Sequence, residues 1–99
     1  MKFLVINRPN GRETSFDSSA AGIRLAKDLV EQTIADGTIE AAYAFVGGGH
    51  AYIVTAADTE QLFRLVRGNP LFKSSHTEVI PIVDAVEALE IVAKQADRR

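Results

Sequence analysis

The sequence predicts an α+β fold with elements in the order strand, helix, strand, strand, helix, strand and a terminal helix. Three observations carry this prediction. Short apolar blocks sit near both ends and in the middle of the chain, two longer stretches between them repeat their apolar positions at helical spacing, and clusters of Gly, Pro and Asn fall at the joins.

The first strand runs from Lys2 to Arg8, where Phe3, Leu4, Val5 and Ile6 stand in a row before Pro9-Asn10-Gly11 ends the pattern. An unbroken apolar run of that length suits a strand buried on both faces. The polar stretch from Arg12 to Asp17 reads as a turn or mobile loop, and Asp17, Ser18 and Ser19 are each suited to cap the helix that follows. In that helix Ile23, Ala26, Val30 and Ile34 recur at helical spacing, Leu25 and Leu29 widen the stripe, and Lys27, Glu31 and Asp36 take the other side until Gly37.

From Ile39 to Val46 the period is two, with Ile39, Ala41, Tyr43 and Phe45 on one face and Glu40, Ala42, Ala44 and Val46 on the other. Gly47-Gly48-Gly49 breaks the alternation and His50 to Thr55 resumes it, so the two strands form a hairpin with the glycines as its turn. Asp58 or Thr59 opens the second helix, with Gln61 placed as a capping-box partner, Leu62, Phe63, Leu65 and Val66 as its apolar side, and Gly68-Asn69-Pro70 as its end. The last strand, Ser75 to Val83, contains Pro81, which has no N–H for a ladder and therefore predicts an edge position or a bulge. After Asp84, the residues Val86, Leu89, Ile91 and Val92 mark a short amphipathic helix.

This order is the ferredoxin-like split β-α-β arrangement, built on a four-stranded antiparallel sheet. Two helices can cover one face of such a sheet. The strands are apolar on both faces, and a second copy packed sheet to sheet is the simplest cover for the other, enclosing an apolar cavity between the two.

Ninety-nine residues with 46% hydrophobic content fit one domain, residues 1–99. The 11 basic and 13 acidic side chains are scattered and sum to a formal charge of -2, which leaves no footprint for a nucleic-acid backbone. The absence of cysteine excludes disulfides, thiolate metal sites and cysteine nucleophiles. The opening apolar run is too short for a signal peptide and no segment approaches the roughly 20 apolar residues of a membrane span, so a cytoplasmic protein is expected.

Several segments together carry a resemblance. Gly47 to Val54, then Asp58-Thr59-Glu60-Gln61-Leu62, Asn69-Pro70-Leu71-Phe72 and Glu78-Val79-Ile80-Pro81-Ile82 look like the muconolactone isomerase family, and the opening strand agrees. The most specific piece is the helix leading into Pro-Leu-Phe and a strand of Glu-Val-hydrophobe-Pro type. The resemblance covers most of the chain and implies a dimeric α+β barrel, a group that also holds ring-opening and cyclising enzymes and monooxygenases without a cofactor. For the isomerases it implies a cofactor-free shift of a proton and a double bond in a small unsaturated lactone acid, within a larger oligomer of barrel dimers. Where those isomerases resemble one another in tryptophan, histidine and arginine, this chain has Thr38 to Ala44, which points to a different substrate.

Proton abstraction beside a carbonyl needs a base of tuned pKa and a donor for the developing oxyanion. His50, after the glycine turn, and His76, at the start of the last strand, either project into the barrel or cap strand ends. Glu40 is the one carboxylate inside the second strand, where an apolar cavity would raise its pKa; it could equally face solvent, and by parity it lies opposite Tyr43 unless a bulge intervenes. Tyr43 and Tyr52 offer a ring and a phenolic donor to a flat ligand, or simply serve the core or an interface. Asn7 and Arg8 close the first strand, where an arginine fork could hold a substrate carboxylate or stay solvated. The glycine run joins two strands and does not open a helix, so it is no nucleotide cradle. Two isolated histidines are weak support for a metal, and neither a metal nor a cofactor is expected. Two roles stay open: a cofactor-free isomerase or cyclase (or monooxygenase) acting on a lactone, enone or polyketide-like molecule, and a binding or assembly protein of the same fold.

Overall fold

The computed structural model describes residues 1–12 and 18–98. Its elements are β1 (Lys2–Pro9), α1 (Ala20–Ala35), β2 (Ile39–Ala44), β3 (His50–Thr55), α2 (Thr59–Arg67), a 3-10 turn (Phe72–Ser74), β4 (Ser75–Ile82) and α3 (Ala85–Asp97). The strands form one antiparallel sheet in the order β2-β3-β1-β4, the ferredoxin-like arrangement.

β1 is central and pairs along its length with β3 and β4. Val5 lies opposite Tyr52 and Val79, and Asn7 opposite His50 and Thr77. Strand alternation therefore puts Phe3, Val5 and Asn7 on one face with His50, Tyr52 and Val54. That face holds the core: Val5 and Val54 are fully enclosed, Phe3, Tyr52, Ala56 and Val66 join them, and Leu62 and Leu65 of α2 and Phe72 pack against the cluster. α2 is fixed at its start by the expected cap. Asp58 Oδ1 accepts from the Gln61 N–H at 2.8 Å, and Gln61 Oε1 accepts in return from the Ala57 N–H at 2.7 Å, one residue before the usual box partner.

Ser19 caps α1 by accepting from the Gly22 N–H at 3.1 Å. The alternative cap Asp17 lies outside the described residues, as does most of the loop expected over Arg12 to Asp17. Gly37, past the end of α1, has φ +83°, the left-handed conformation expected there. Pro81 sits on β4, an outer strand, as its missing N–H requires. On the other outer strand, the register shifts by one residue between Ile39 and Ala41, so Glu40 is the extra residue of a bulge.

The expectation that two helices cover one face needs correction. Only α2 does so. α1 meets the sheet chiefly at β2, the strand it leads into, and neither α1 nor α3 has a buried residue. Leu25 and Leu29 of α1 are 62% and 52% exposed, and Leu89 of α3 is 70% exposed. The radius of gyration is 16.5 Å, against about 13 Å for a compact domain of this length, and the long dimension is 58 Å. Nor is β1 enclosed on both sides. Leu4 and Ile6, with Ile53, Ile80 and Ile82, are half-buried on a sheet face with no helix over it.

The hairpin turn is held by two backbone bonds at Phe45, its N–H to the Gly49 carbonyl at 2.9 Å and the Gly48 N–H to its carbonyl at 3.1 Å. Gly49 has φ +92°, and a Cβ there would stand 2.5 Å from the Asn7 carbonyl oxygen. Gly49→Ala should therefore cost at least about 2 kcal/mol in urea unfolding, from the strained φ and the displaced strand together. Gly47→Ala, whose Cβ would meet open space, should change stability by no more than about 0.5 kcal/mol.

Candidate functional site

The close approach of Gly49 to β1 sets His50 directly opposite Asn7, at the end of the sheet where β1 finishes and β3 and β4 begin. The loop that ends α2 comes to the same place. Asn7 Nδ2 and Asn69 Nδ2 each stand 3.2 Å from His50 Nε2. Asn69 Oδ1 accepts from the Leu71 N–H at 2.9 Å, and Asn7 Oδ1 accepts from the Thr77 hydroxyl at 2.7 Å. Asn7 is 1% exposed, and this network satisfies an amide that would otherwise be costly to bury.

Tyr52 lies two residues from His50 on the same face. The rings stack at 6.1 Å between centroids and 16° between planes. The Tyr52 hydroxyl is buried without a hydrogen-bond partner. Burial pushes its pKa up, against a smaller opposing pull from the Asn69 and Asn7 amides, which lie beside the oxygen without hydrogen-bond geometry. Burial lowers the pKa of His50 below its ordinary 6.5, so the ring is neutral at physiological pH.

His50 also forms part of the wall of a 490 Å³ cleft, together with Pro9, Arg12, Gly49, Leu71 and Ser75. Asn10 shapes its rim: the side chain donates to the Lys73 carbonyl at 3.0 Å and accepts from the Arg12 N–H at 2.9 Å. A second, apolar groove of 210 Å³ runs between α2 and Val79 and carries no titratable side chain except Arg67. Cation–π contacts of Arg67 with Phe63 and Phe72 account for that residue.

The residues singled out in the sequence divide between the two sheet faces. His50, Asn7 and Tyr52 come together on the face that α2 covers. Arg8, Tyr43 and His76 are on the open face, since Arg8 pairs with His76, and Tyr43 with Ala51, in positions of opposite parity. There Arg8 lies 3.7 Å from Glu78 and over the Phe45 ring, while Tyr43 is 63% exposed. The bulge lets Glu40 reach Lys2 at 3.2 Å, on that same open side, with the carboxylate half exposed. Glu40 is thus not in a desolvating cavity, and four residues of strand, about 13 Å, separate its register position from His50. Alternation set Glu40 and Tyr43 on different faces unless a bulge intervened; the bulge is there and brings both to the open face, away from His50, Asn7 and Tyr52.

Three neighbours of His50 were not singled out. Asn69 reads in sequence as part of a helix stop, and Thr77 as one residue of a strand; only tertiary structure brings Asn69 to the ring and Thr77 to the Asn7 amide beside it. Arg12, and not Arg8, is the arginine of the cleft. Among the described residues, no group of three or more His, Asp or Glu side chains converges as metal ligands would, and no helix is long and apolar enough to cross a membrane.

No family model matches the chain, and no curated protein does. Among solved structures it is similar to 5-chloro-2-hydroxyhydroquinone dehydrochlorinase from Burkholderia phenoliruptrix, determined in complex with 2,5-dihydroxybenzoquinone. The two share 14% sequence identity over 88% of this chain and 98% of the other, with a TM-score of 0.58. The likeness is one of fold.

The depressed pKa of His50 has a stability consequence. The unfolded chain takes up a proton at this residue more readily than the folded one, so stability is full above the ordinary histidine range and declines as the pH falls through it. Asn7, Asn69 and Tyr52 offer the imidazolium no compensating charge, and Arg12 in the cleft wall opposes it. Thermal unfolding followed from about pH 8 to about pH 5 should show the wild-type midpoint dropping more steeply than that of His50→Ala. Parallel curves would mean that burial does not hold the ring neutral.

Proposed function

We propose that this chain is a cofactor-free enzyme that shifts a proton and a double bond, isomerising or cyclising a small unsaturated, oxygen-bearing molecule of lactone, enone or polyketide-like type. The observation that carries the reading is His50: a neutral, half-buried imidazole, held by two amides, in the wall of a cleft large enough for such a molecule. His50 faces the reacting atoms in this reading, Asn7 and Tyr52 support it, and Arg12 is the cation available to a substrate carboxylate. Glu40 takes no part, because its charge is matched by Lys2 at the other end of the hairpin. The resemblance to muconolactone isomerases points to the same class of chemistry. The structural neighbour, a dehydrochlorinase of a hydroxylated ring, supports only the coarser reading, an enzyme of this fold that processes a small molecule.

The enzyme works, in this proposal, as a homodimer or higher even oligomer in a cytoplasmic setting. Two copies would pair their open sheet faces as a dimeric α+β barrel, covering Leu4, Ile6, Ile53, Ile80 and Ile82 with the same residues of the partner subunit. Arg8, Tyr43 and His76 would then border the space between the sheets, where a ligand could also be held. A binding or assembly protein of the same fold is the second reading. What favours it is the uncovered state of α1 and α3, whose apolar stripes call for contact between subunits and not for catalysis.

Proton NMR in deuterated buffer, with catalytic amounts of protein and with muconolactone, related butenolides and 2,5-dihydroxybenzoquinone as trial compounds, tests the activity. Double-bond migration or deuterium uptake at the acidic carbon is the expected result, reduced roughly 100-fold or more in His50→Ala. No exchange with any of them would favour the binding or assembly reading. Sedimentation at micromolar concentration should show a dimer or larger even species, converted to monomer by Ile6→Glu with Ile80→Glu; a monomeric wild type would refute the sheet-paired barrel.

A further inference from the structure

The orientation of both amides at His50, and the tautomer of its ring, follow from one backbone donor. The Leu71 N–H can only donate, so the Asn69 atom 2.9 Å from it is the amide oxygen, and the amide that faces His50 Nε2 is the NH2 group. A nitrogen that receives an N–H must offer its lone pair, so Nε2 is unprotonated. The Asn7 group 3.2 Å from that same lone pair is then also an NH2, which leaves Asn7 Oδ1 to accept the Thr77 hydroxyl at 2.7 Å. Because the neutral ring carries its one proton on a nitrogen, that proton is on Nδ1.

Three features make this chain of constraints functional. Nε2 is already occupied by two donors at 3.2 Å, so it has no free lone pair with which to act as a base toward a ligand. His50 lines the cleft, and among the described residues Nδ1 has no hydrogen-bond partner and is not a buried unpaired atom, which leaves the N–H to meet a ligand. Each amide oxygen and the ring nitrogen of the cluster already receives a donor: Asn69 Oδ1 from Leu71, Asn7 Oδ1 from Thr77, and Nε2 from both amides. Yet the Tyr52 hydroxyl, on a side chain only 5% exposed, still has no acceptor for its proton. Donors are in surplus here. A site of that kind stabilises negative charge on oxygen and disfavours a cation.

We propose that His50 presents a fixed Nδ1–H to the cleft as a hydrogen-bond donor, and that the site takes its ligand through an enolate or phenolate oxygen. Asn69 is the positioning residue that sets the tautomer. This inference rests on the reading of the His50 cleft as the ligand site, and it changes the role of the histidine from base to oxyanion partner. A neutral imidazole suits that role because it carries no formal charge of its own to desolvate and its donor is already oriented when the ligand arrives.

Nitrogen-15 NMR of the labelled wild-type protein reads the tautomer directly, and with only two histidines in the chain the His50 signals are assigned by their loss in His50→Ala. The expected result is a protonated Nδ1 and a bare Nε2 throughout the neutral range, moving toward the Nε2–H form in Asn69→Ala. A protonated Nε2 in the wild type would overturn the proposal. Titration with para-nitrophenol supplies the ligand test, since its visible absorbance distinguishes phenolate from phenol. Binding as phenolate below the solution pKa of the probe, weakened 10-fold or more in His50→Phe, is expected. Binding as neutral phenol, equal affinity in the variant, or no binding would each overturn it. The NMR result does not depend on turnover, so an absence of lactone chemistry would defeat the proposed reaction and leave the donor assignment standing.

Discussion

β1 has no solvent edge: its backbone is paired on both sides, and its side chains must satisfy two different faces. On one face the alternation Phe3, Val5, Asn7 runs from an enclosed apolar core into a buried amide, so the transition from packing to polar recognition occurs within a single strand. The amide can be buried only because β3 and β4 place His50 and Thr77 beside it in register. A slip of one residue would turn Asn7 to the open face and Arg8 into the core, which makes the register of the whole sheet inseparable from the site at its end. Gly49 guards that register, since no other residue lets the hairpin turn approach the Asn7–Arg8 backbone so closely.

The site combines groups drawn from four separate elements, and each is oriented by a neighbour and not by its own rotamer preference alone. Asn69 is oriented by the backbone that leaves α2, and the amide passes that constraint to the imidazole. Such an arrangement is rigid on the protein side and open on the ligand side, the condition under which donors act without reorganising. Moving the proton itself asks for a base as well, and with the Nε2 lone pair taken that role falls outside this donor cluster.

Much of the architecture was legible in the sequence. Period-two and helical spacings located all four strands and three helices, Asp58 with Gln61 marked the start of α2, and Pro81 placed β4 at an edge. The short 3-10 turn at Phe72–Ser74 was not, for its three residues have no period to read. Amphipathic spacing showed that α1 has an apolar stripe, but such a stripe carries no information about whether its cover comes from the same chain. In the site, His50, Asn7 and Tyr52 were visible as residue types at strand ends. Parity alone could have separated them from Arg8, which follows Asn7 in the same strand and must face the other way. Glu40 escaped parity because a bulge is invisible to alternation. Asn69 and Thr77 were beyond reach, as contacts over 19 and 70 positions of chain leave no local trace.

The two outer strands have one more consequence. β4 has no N–H to offer at Pro81, and the ladder of β2 is offset at Glu40, where the charged bulge would disturb any strand laid alongside. Both rims of the sheet are thus poor templates for another strand, even though its broad face is apolar. Any association by such a molecule would be turned away from edge-to-edge growth, the route to ribbons and fibrils, and onto its broad apolar face.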